Sequence, residues 1–510
     1  MDYLPLMPFL VVTGGGLLSL LLMGPRKQTA AAIGRYTFTF GVLLTALLFA
    51  LRQWFGQSGA FRLNFFGGAI VIDNFSTFFA ILVLLCGLVT VLVALPYAHQ
   101  ERMDHPELHS LLLFAISGML LLGSSKDLLV LFLGLEIMSL AIYALVGLRR
   151  HDLKANEATL KYILLGAFSS AFLLYGIALC YGFSGSTQLD RIATVISSLP
   201  PGSYPLYLLA LSLLLAGLAF KIAAFPFHMW APDVYEGAAS PITGFMAAAV
   251  KVAAFAMLLR LALGELITGE FFAVNVIWWL SVLSMFVGNT LALVQQSVKR
   301  MLAYSSIAHT GYLLVGLTGV TTQQPDGATA ALVYLVAYAI TSIGAFACVT
   351  YLAQRNEQLL RLEDWAGMAR RHPWIASAMT ICLLSLIGFP PTVGFFGKYL
   401  LFSAAIQSGQ LTLALLGILN SILAIWYYLR VVVVMMMKEP VTTGPVAPSE
   451  EKIAGKSLPP PGGLRWGAGI GAIYAALFLI WAGIGTFTLG IFPGAVPLFN
   501  WAWLSIASLL

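Results

Sequence analysis

Five titratable residues stand in the middle of segments otherwise too apolar to hold charge. They are Glu136 in LVLFLGLEIMSLAIYALV, Lys221 in LLLAGLAFKIAAF, Lys251 in FMAAAVKVAAFAM, His309 in LAYSSIAHTGYLLVG and Lys398 in VGFFGKYLLF. On insertion scales a charge at the centre of a bilayer costs roughly 2.5–3.5 kcal/mol, so the glutamate and three lysines together would cost on the order of 10–14 kcal/mol unless they pair or meet water. Burial disfavours the charged form of such groups and an opposite charge nearby restores it. A site built this way exchanges protons when a neighbour's charge changes, and the chemistry it suits is a proton relay.

Two of the lysines lie beside helix-breaking prolines. Lys221 precedes Pro226 in KIAAFPFHMWAP, and Lys398 follows the pair Pro390 and Pro391 in LIGFPPTVGFFGKY. Proline removes a backbone donor and frees a carbonyl about four residues back. In hydrocarbon such irregular backbone is tolerated only where protein or water covers it.

The elements that must position these residues are membrane spans. The chain is 60% hydrophobic and 9% charged, with a mean hydropathy of +0.90, and apolar runs of about twenty residues recur along it. The reading is an all-α polytopic membrane protein of fourteen spans: 4–23, 36–53, 74–96, 108–124, 127–147, 157–183, 204–224, 240–263, 271–294, 300–320, 327–353, 373–388 continuing through 392–408, 410–436 and 466–490. The first run carries its basic residues, Arg26 and Lys27, behind it rather than ahead, which reads as a retained helix and not a cleavable signal. The proline breaks fall in the seventh and twelfth spans. An odd offset of five reverses membrane orientation, the arrangement of inverted repeats whose interrupted helices flank an ion path.

The domain reading is a three-helix segment (1–107), a first five-helix repeat (108–263), a second (271–436), a surface loop (437–465) and a C-terminal helix with an interfacial tail (466–510). The Pro-, Gly- and charge-rich stretch KEPVTTGPVAPSEEKIAGKSLPPPGGLR cannot bury a face. Of the 27 Lys and Arg, eighteen fall in loops on one side, five on the other, Arg260 among them, and four inside spans. The positive-inside rule then puts both termini on the outer side of the membrane. The net charge of +6 is scattered over short loops, without the clustered stripe that nucleic acid needs.

Lys299 and Arg300 begin the tenth span and read as an interfacial anchor rather than relay residues; Arg430 reads as a snorkelling side chain. His309 is either a relay group or a packing histidine. His228, beside Pro226, Asp233 and Glu236, either shapes an entrance or packs the turn. Cys86, Cys180, Cys348 and Cys382 are isolated in apolar spans, with no iron–sulfur spacing and no disulfide framework. His105 and His109 sit i, i+4, but Pro106 between them argues against a metal site. No cofactor or metal is expected in this chain.

The segment Phe225–Thr243, FPFHMWAPDVYEGAASPIT, resembles the signature of the proton-translocating, antiporter-like membrane subunits of respiratory complex I. SVKRMLAYSSIAHTGY (297–312), GFPPTVGFFGKYLLF (388–402) and LFLGLEIMSLAIYAL (131–145) agree with it. Within that family the chain is most similar to the NuoN type, having Lys398 where the NuoM type carries a glutamate and lacking the lateral helix of the NuoL type.

The resemblance implies fourteen helices with two inverted five-helix units. It implies Glu136 and Lys221 as an interacting pair, Lys251 as the central lysine and Lys398 as that of the second broken helix, with His309 and waters as intermediates. It also implies NuoM-, NuoK- and NuoJ-type neighbours, lipid contacts, and NAD, FMN, iron–sulfur clusters and quinone in partner subunits. A Mrp-type cation/proton antiporter, or the equivalent subunit of a ferredoxin- or hydrogenase-linked complex, would carry the same motifs.

Overall fold

The computed structural model describes residues 3–22, 29–56, 59–101, 105–264, 266, 271–320, 325–352, 357, 360–439 and 495–509. The chain is overwhelmingly helical. After α1 (Met7–Leu22) and α2 (Thr29–Gly56), a short hairpin of β1 (Arg62–Phe65) and β2 (Ile70–Asp73) pairs Arg62 with Asp73 and Phe65 with Ile70. It leads into α3 (Asn74–Glu101), α4 (Pro106–Ser124), α5 (Leu128–Val146), α6 (Leu153–Ser184) and the short α7 (Leu189–Ile196).

The first interrupted helix follows. α8 (Tyr204–Lys221) stops, the chain turns through Pro226, and α9 (Trp230–Gly237) resumes. Next, α10 (Ser240–Phe245) passes through a π turn (Met246–Val250) into α11 (Lys251–Leu263). α12 (Phe271–Leu293), α13 (Val298–Val315) and α14 (Asp326–Leu352) precede the four-residue α15 (Met368–Arg371). The second interrupted helix is α16 (Pro373–Ile387), a break at Pro390 and Pro391, and α17 (Val393–Gln407); α18 (Leu411–Met437) and a C-terminal helix (Ala495–Ala507) complete the described chain.

Eleven helices are long and apolar enough to cross a membrane among the described residues. Three of the fourteen expected spans account for the difference. The tenth, α13, is a helix but carries Lys299, Arg300, His309 and five hydroxyl side chains. The twelfth is split into two half-length helices by its prolines. The fourteenth, 466–490, and the expected loop from 440 onward lie outside the described residues.

Local chemistry fixes several helix ends. Asp127 starts α5 by accepting hydrogen bonds from the Leu129 and Val130 amides at 2.8 and 3.3 Å, and Gly388, with φ +85°, takes the left-handed turn that ends α16. Close helix contact relies on small residues. A Cβ on Gly118 of α4 would lie 2.5 Å from the Met138 amide of α5, and one on Gly288 of α12 would lie 2.5 Å from the Ala308 amide of α13.

Burial sorts the helices into layers. The most apolar window of Ser240–Leu263 is entirely buried, and that of α14 nearly so, whereas only a third of the α12 window is. α10, α11 and α14 therefore form the centre. The peripheral α1, α2, α6, α12 and α18 turn Leu, Ile, Phe and Trp side chains outward, as a lipid or partner-facing surface requires.

Candidate functional site

Glu136, half-buried on α5, accepts a hydrogen bond from Ser170 Oγ of α6 at 2.5 Å. Ser139 and Tyr143 follow it at helical spacing, and both bond the buried Lys221 from the end of α8, with Nζ donating to Ser139 Oγ at 2.9 Å and to Tyr143 OH at 3.2 Å. Glu136 and Lys221 are thus not in ion-pair contact, contrary to the expected pair. Lys221 instead engages neutral hydroxyls three and seven residues along the same face. Gly166 makes room for them, since a Cβ there would lie 1.9 Å from Tyr143 OH. Tyr143 packs edge-on to Tyr162, which stacks on Trp230, and the Trp230 indole donates to the Phe220 carbonyl at 3.0 Å, bracing the first break.

Lys251 follows the π turn, a local insertion that recurs at functional sites. It is buried, and its three ammonium protons meet three acceptors: Ser306 O at 2.5 Å, Ser306 Oγ at 2.6 Å and Thr310 Oγ1 at 2.9 Å. The ammonium also lies 4.9 Å from the centre of the Tyr338 ring, and Tyr338 OH donates to Ser306 Oγ at 2.8 Å. No carboxylate is among these partners.

His309 is buried about three turns from the start of α13 (Val298–Val315). Its Nδ1 bonds Tyr334 OH at 2.5 Å and its Nε2 bonds Tyr428 OH at 3.0 Å; Tyr428 in turn bonds Ser305. Lys398 of α17 donates to the Ile387 carbonyl at 3.0 Å and to Ser421 Oγ at 3.4 Å, and lies 4.5 Å from the centre of the Tyr312 ring. It lines a groove between α17 and α18 together with Gly388, Phe395, Tyr399, Phe402 and Ser421. One helix, α13, joins these stations: Ser306 and Thr310 serve Lys251, His309 sits beside Tyr338, and Tyr312 sits under Lys398.

The hydroxyl partners were not singled out from sequence. Their signal is the spacing of polar residues at three and four along apolar helices: Glu136, Ser139, Tyr143; Ser305, His309, Tyr312; Tyr334, Tyr338. Pro226, Pro390 and Pro391 mark the two breaks as expected. His228 is buried against Phe225, its ring 5.4 Å away, and its Nδ1 has no hydrogen-bond partner among the described residues.

Two expectations about charge are corrected. Lys299 is not an interfacial anchor. It is fully buried and bonds Glu357 at 2.6 Å and the Ala238 carbonyl at 2.6 Å, because the chain after α14 folds back over the start of α13. Glu357 also accepts from Ser240 N and Oγ, both at 2.7 Å, and from Tyr97 OH at 2.8 Å, with Arg149 at 3.5 Å. Burial alone would push its carboxyl up, but Lys299, Ser240 and Arg149 hold it below the usual carboxylate range. Arg260, counted with the loops, is buried at the end of α11. It pairs with Asp73 through two bonds of 3.1 Å and caps the Gly123 carbonyl at 2.7 Å. Arg300 does remain partly exposed and shares Asp233 with Lys161, both at 2.7 Å. Among the described residues no group of three or more His, Cys, Asp or Glu could hold a metal ion.

The family described as NADH:quinone oxidoreductase/Mrp antiporter, transmembrane, matches residues 125–424, the stretch that carries the five stations. Among curated relatives, an NADH-quinone oxidoreductase subunit N from Trichlorobacter lovleyi is 46% identical over 373 residues, 73% of this chain and 76% of that one. A subunit N 1 from Solibacter usitatus is 40% identical over 500 residues, 97% of this chain and 96% of the relative. Among solved structures, a chain of respiratory complex I from Thermus thermophilus with bound aureothin is 35% identical and superposes with a TM-score of 0.75, covering 95% of this chain and 98% of that one. With the family matched over the site and relatives matched nearly end to end, the chain belongs to the NADH:quinone oxidoreductase/Mrp antiporter family of integral membrane proteins, in its subunit N branch.

Proposed function

We propose that this chain is the N-type pump subunit of a membrane-bound NADH:quinone oxidoreductase and moves protons through Glu136, Lys221, Lys251, His309 and Lys398. The observation that carries the relay is the environment of Lys251 and Lys398: both are buried, both are solvated by neutral oxygens, and neither has an acid beside it. An ammonium held by hydroxyls and carbonyls is stable enough to exist and lacks the counter-charge that would trap its proton. The fully paired Lys299, by contrast, suits a structural role.

Protons arriving at Lys221 are held by Ser139 and Tyr143. A change of charge at Glu136, whose carboxylate rests on Ser170 at the rim, alters the field on Lys221 and releases its proton toward Lys251. From there the proton passes along the α13 side chains to the His309 ring, and then to Lys398. Hydroxyl side chains and waters bridge the gaps by accepting one hydrogen bond while donating the next.

This reading carries with it fourteen spans, two inverted five-helix units with one interrupted helix each, periplasmic termini and a bacterial inner membrane. NuoM-, NuoK- and NuoJ-type subunits would flank the chain, and NAD, FMN, iron–sulfur clusters and quinone would sit in partner subunits. The Mrp-type alternative shares the family, but the relatives at 40–46% identity carry the subunit N name.

The test is substitution in the assembled complex. Glu136→Gln and Lys221→Ala are expected to depress NADH-driven proton pumping while the complex still assembles. A normal ratio of protons to electrons in membranes bearing either change would defeat the relay.

A further inference from the structure

Each proline break frees a carbonyl, and both of those carbonyls are tied to a lysine. Four residues before Pro391 the Ile387 carbonyl accepts Lys398 Nζ directly at 3.0 Å. Four residues before Pro226 the Ile222 carbonyl accepts Thr310 Oγ1 at 2.7 Å, and Thr310 Oγ1 in turn accepts Lys251 Nζ at 2.9 Å. Ile222 is the residue after Lys221. The end of the helix that carries one relay lysine is therefore linked to the next relay lysine through one hydroxyl.

We infer that Thr310 is a positioning residue that transmits the charge of Lys251 to the end of α8 and so to Lys221; the inference rests on the relay reading above. A hydroxyl has one proton. Thr310 also lies 3.2 Å from the Ser306 carbonyl one turn back, but that oxygen already receives Lys251 Nζ at 2.5 Å. The shorter bond, to Ile222, takes the proton.

An ammonium donating to Thr310 Oγ1 polarises that hydroxyl, and a polarised hydroxyl grips the Ile222 carbonyl harder. While Lys251 is charged, the α8 terminus is held and Lys221 stays with Ser139 and Tyr143. When Lys251 gives its proton to the His309 side, an N–H bond breaks at Nζ and one forms at the acceptor. Thr310 keeps its own proton, its grip on Ile222 weakens, and Lys221 is freed to reload Lys251. The two lysines would fire in alternation because the break between them senses which is charged.

Three Thr310 variants and a control, each made in the full complex, decide the matter. Thr310→Val removes the hydroxyl at nearly constant volume, Thr310→Ala removes it with less bulk, and Thr310→Ser keeps it. NADH-driven turnover and proton pumping are measured in membranes, with Lys251→Ala as control. Thr310→Val and Thr310→Ala are expected to lower turnover about tenfold, with Thr310→Ser within about twofold of the unmodified protein.

Wild-type turnover and pumping in the Val and Ala variants, alongside lost pumping in Lys251→Ala, would overturn the role of Thr310 and leave the relay standing. Normal pumping in Lys251→Ala would instead remove the relay itself. A Thr310→Ser variant as impaired as Thr310→Val, or Val and Ala variants that fail to assemble while Ser assembles, would assign Thr310 to packing or folding and also overturn the inference.

Discussion

Replacing Lys299 by Met tests whether this lysine is a buried partner or an anchor at the membrane surface. Its side chain is fully buried and that of Glu357 is 2% exposed, with 2.6 Å between the charged atoms. Removing one member of such a pair costs about 3–5 kcal/mol, because the other charge stays buried without it. Glu357 would keep Ser240, Tyr97 and the more distant Arg149, so the low end applies, about 3 kcal/mol, with roughly 1 kcal/mol more for the Ala238 carbonyl that loses its donor. Heating the membranes in steps, solubilising them and following the intact chain on native gels should show half-loss at a temperature about 5 °C lower or more. Lys299→Met/Glu357→Gln, which leaves no lone buried charge, should recover part of that loss, a coupling of about 2 kcal/mol. An unchanged melting temperature for Lys299→Met would refute the buried pair and restore the interfacial reading.

Gly166→Ala should lower proton pumping severalfold without loss of assembly, because the new methyl displaces Tyr143 OH from Lys221; pumping assays beside immunoblots of the assembled complex decide it. Arg260→Lys should lower the amount of chain in membranes, since a lysine cannot make both bonds to Asp73 and cap Gly123 as well; equal levels on immunoblots would contradict that assignment. Burial raises the Asp233 carboxyl, but Lys161 and Arg300 bring it below its ordinary value. Its contribution to stability is therefore present above the ordinary carboxylate range and is lost as pH falls through the lowered value. Asp233→Asn should narrow the difference in melting temperature between pH 7 and about pH 3, below the ordinary carboxylate value.

The sequence alone determined the class and which titratable residues lie inside apolar spans. Apolar runs of bilayer length can only be helices in hydrocarbon, and a lysine or glutamate in such a run is costly enough to be noticed without any structure. Glu136, Lys221, Lys251, His309 and Lys398 were legible for that reason, and so were the breaks at Pro226 and Pro391, because proline acts on its own helix.

What surrounds those stations was settled by tertiary structure. Lys299 and Arg260 look like surface charges because their acids, Glu357 and Asp73, lie 58 and 187 residues away, and nothing local announces such a pair. Ser139, Tyr143, Ser306, Thr310 and Tyr428 are ordinary in any span. They become partners of a buried lysine or histidine only when helix packing turns their oxygens toward it, since a hydrogen bond depends on distance and direction that composition does not encode.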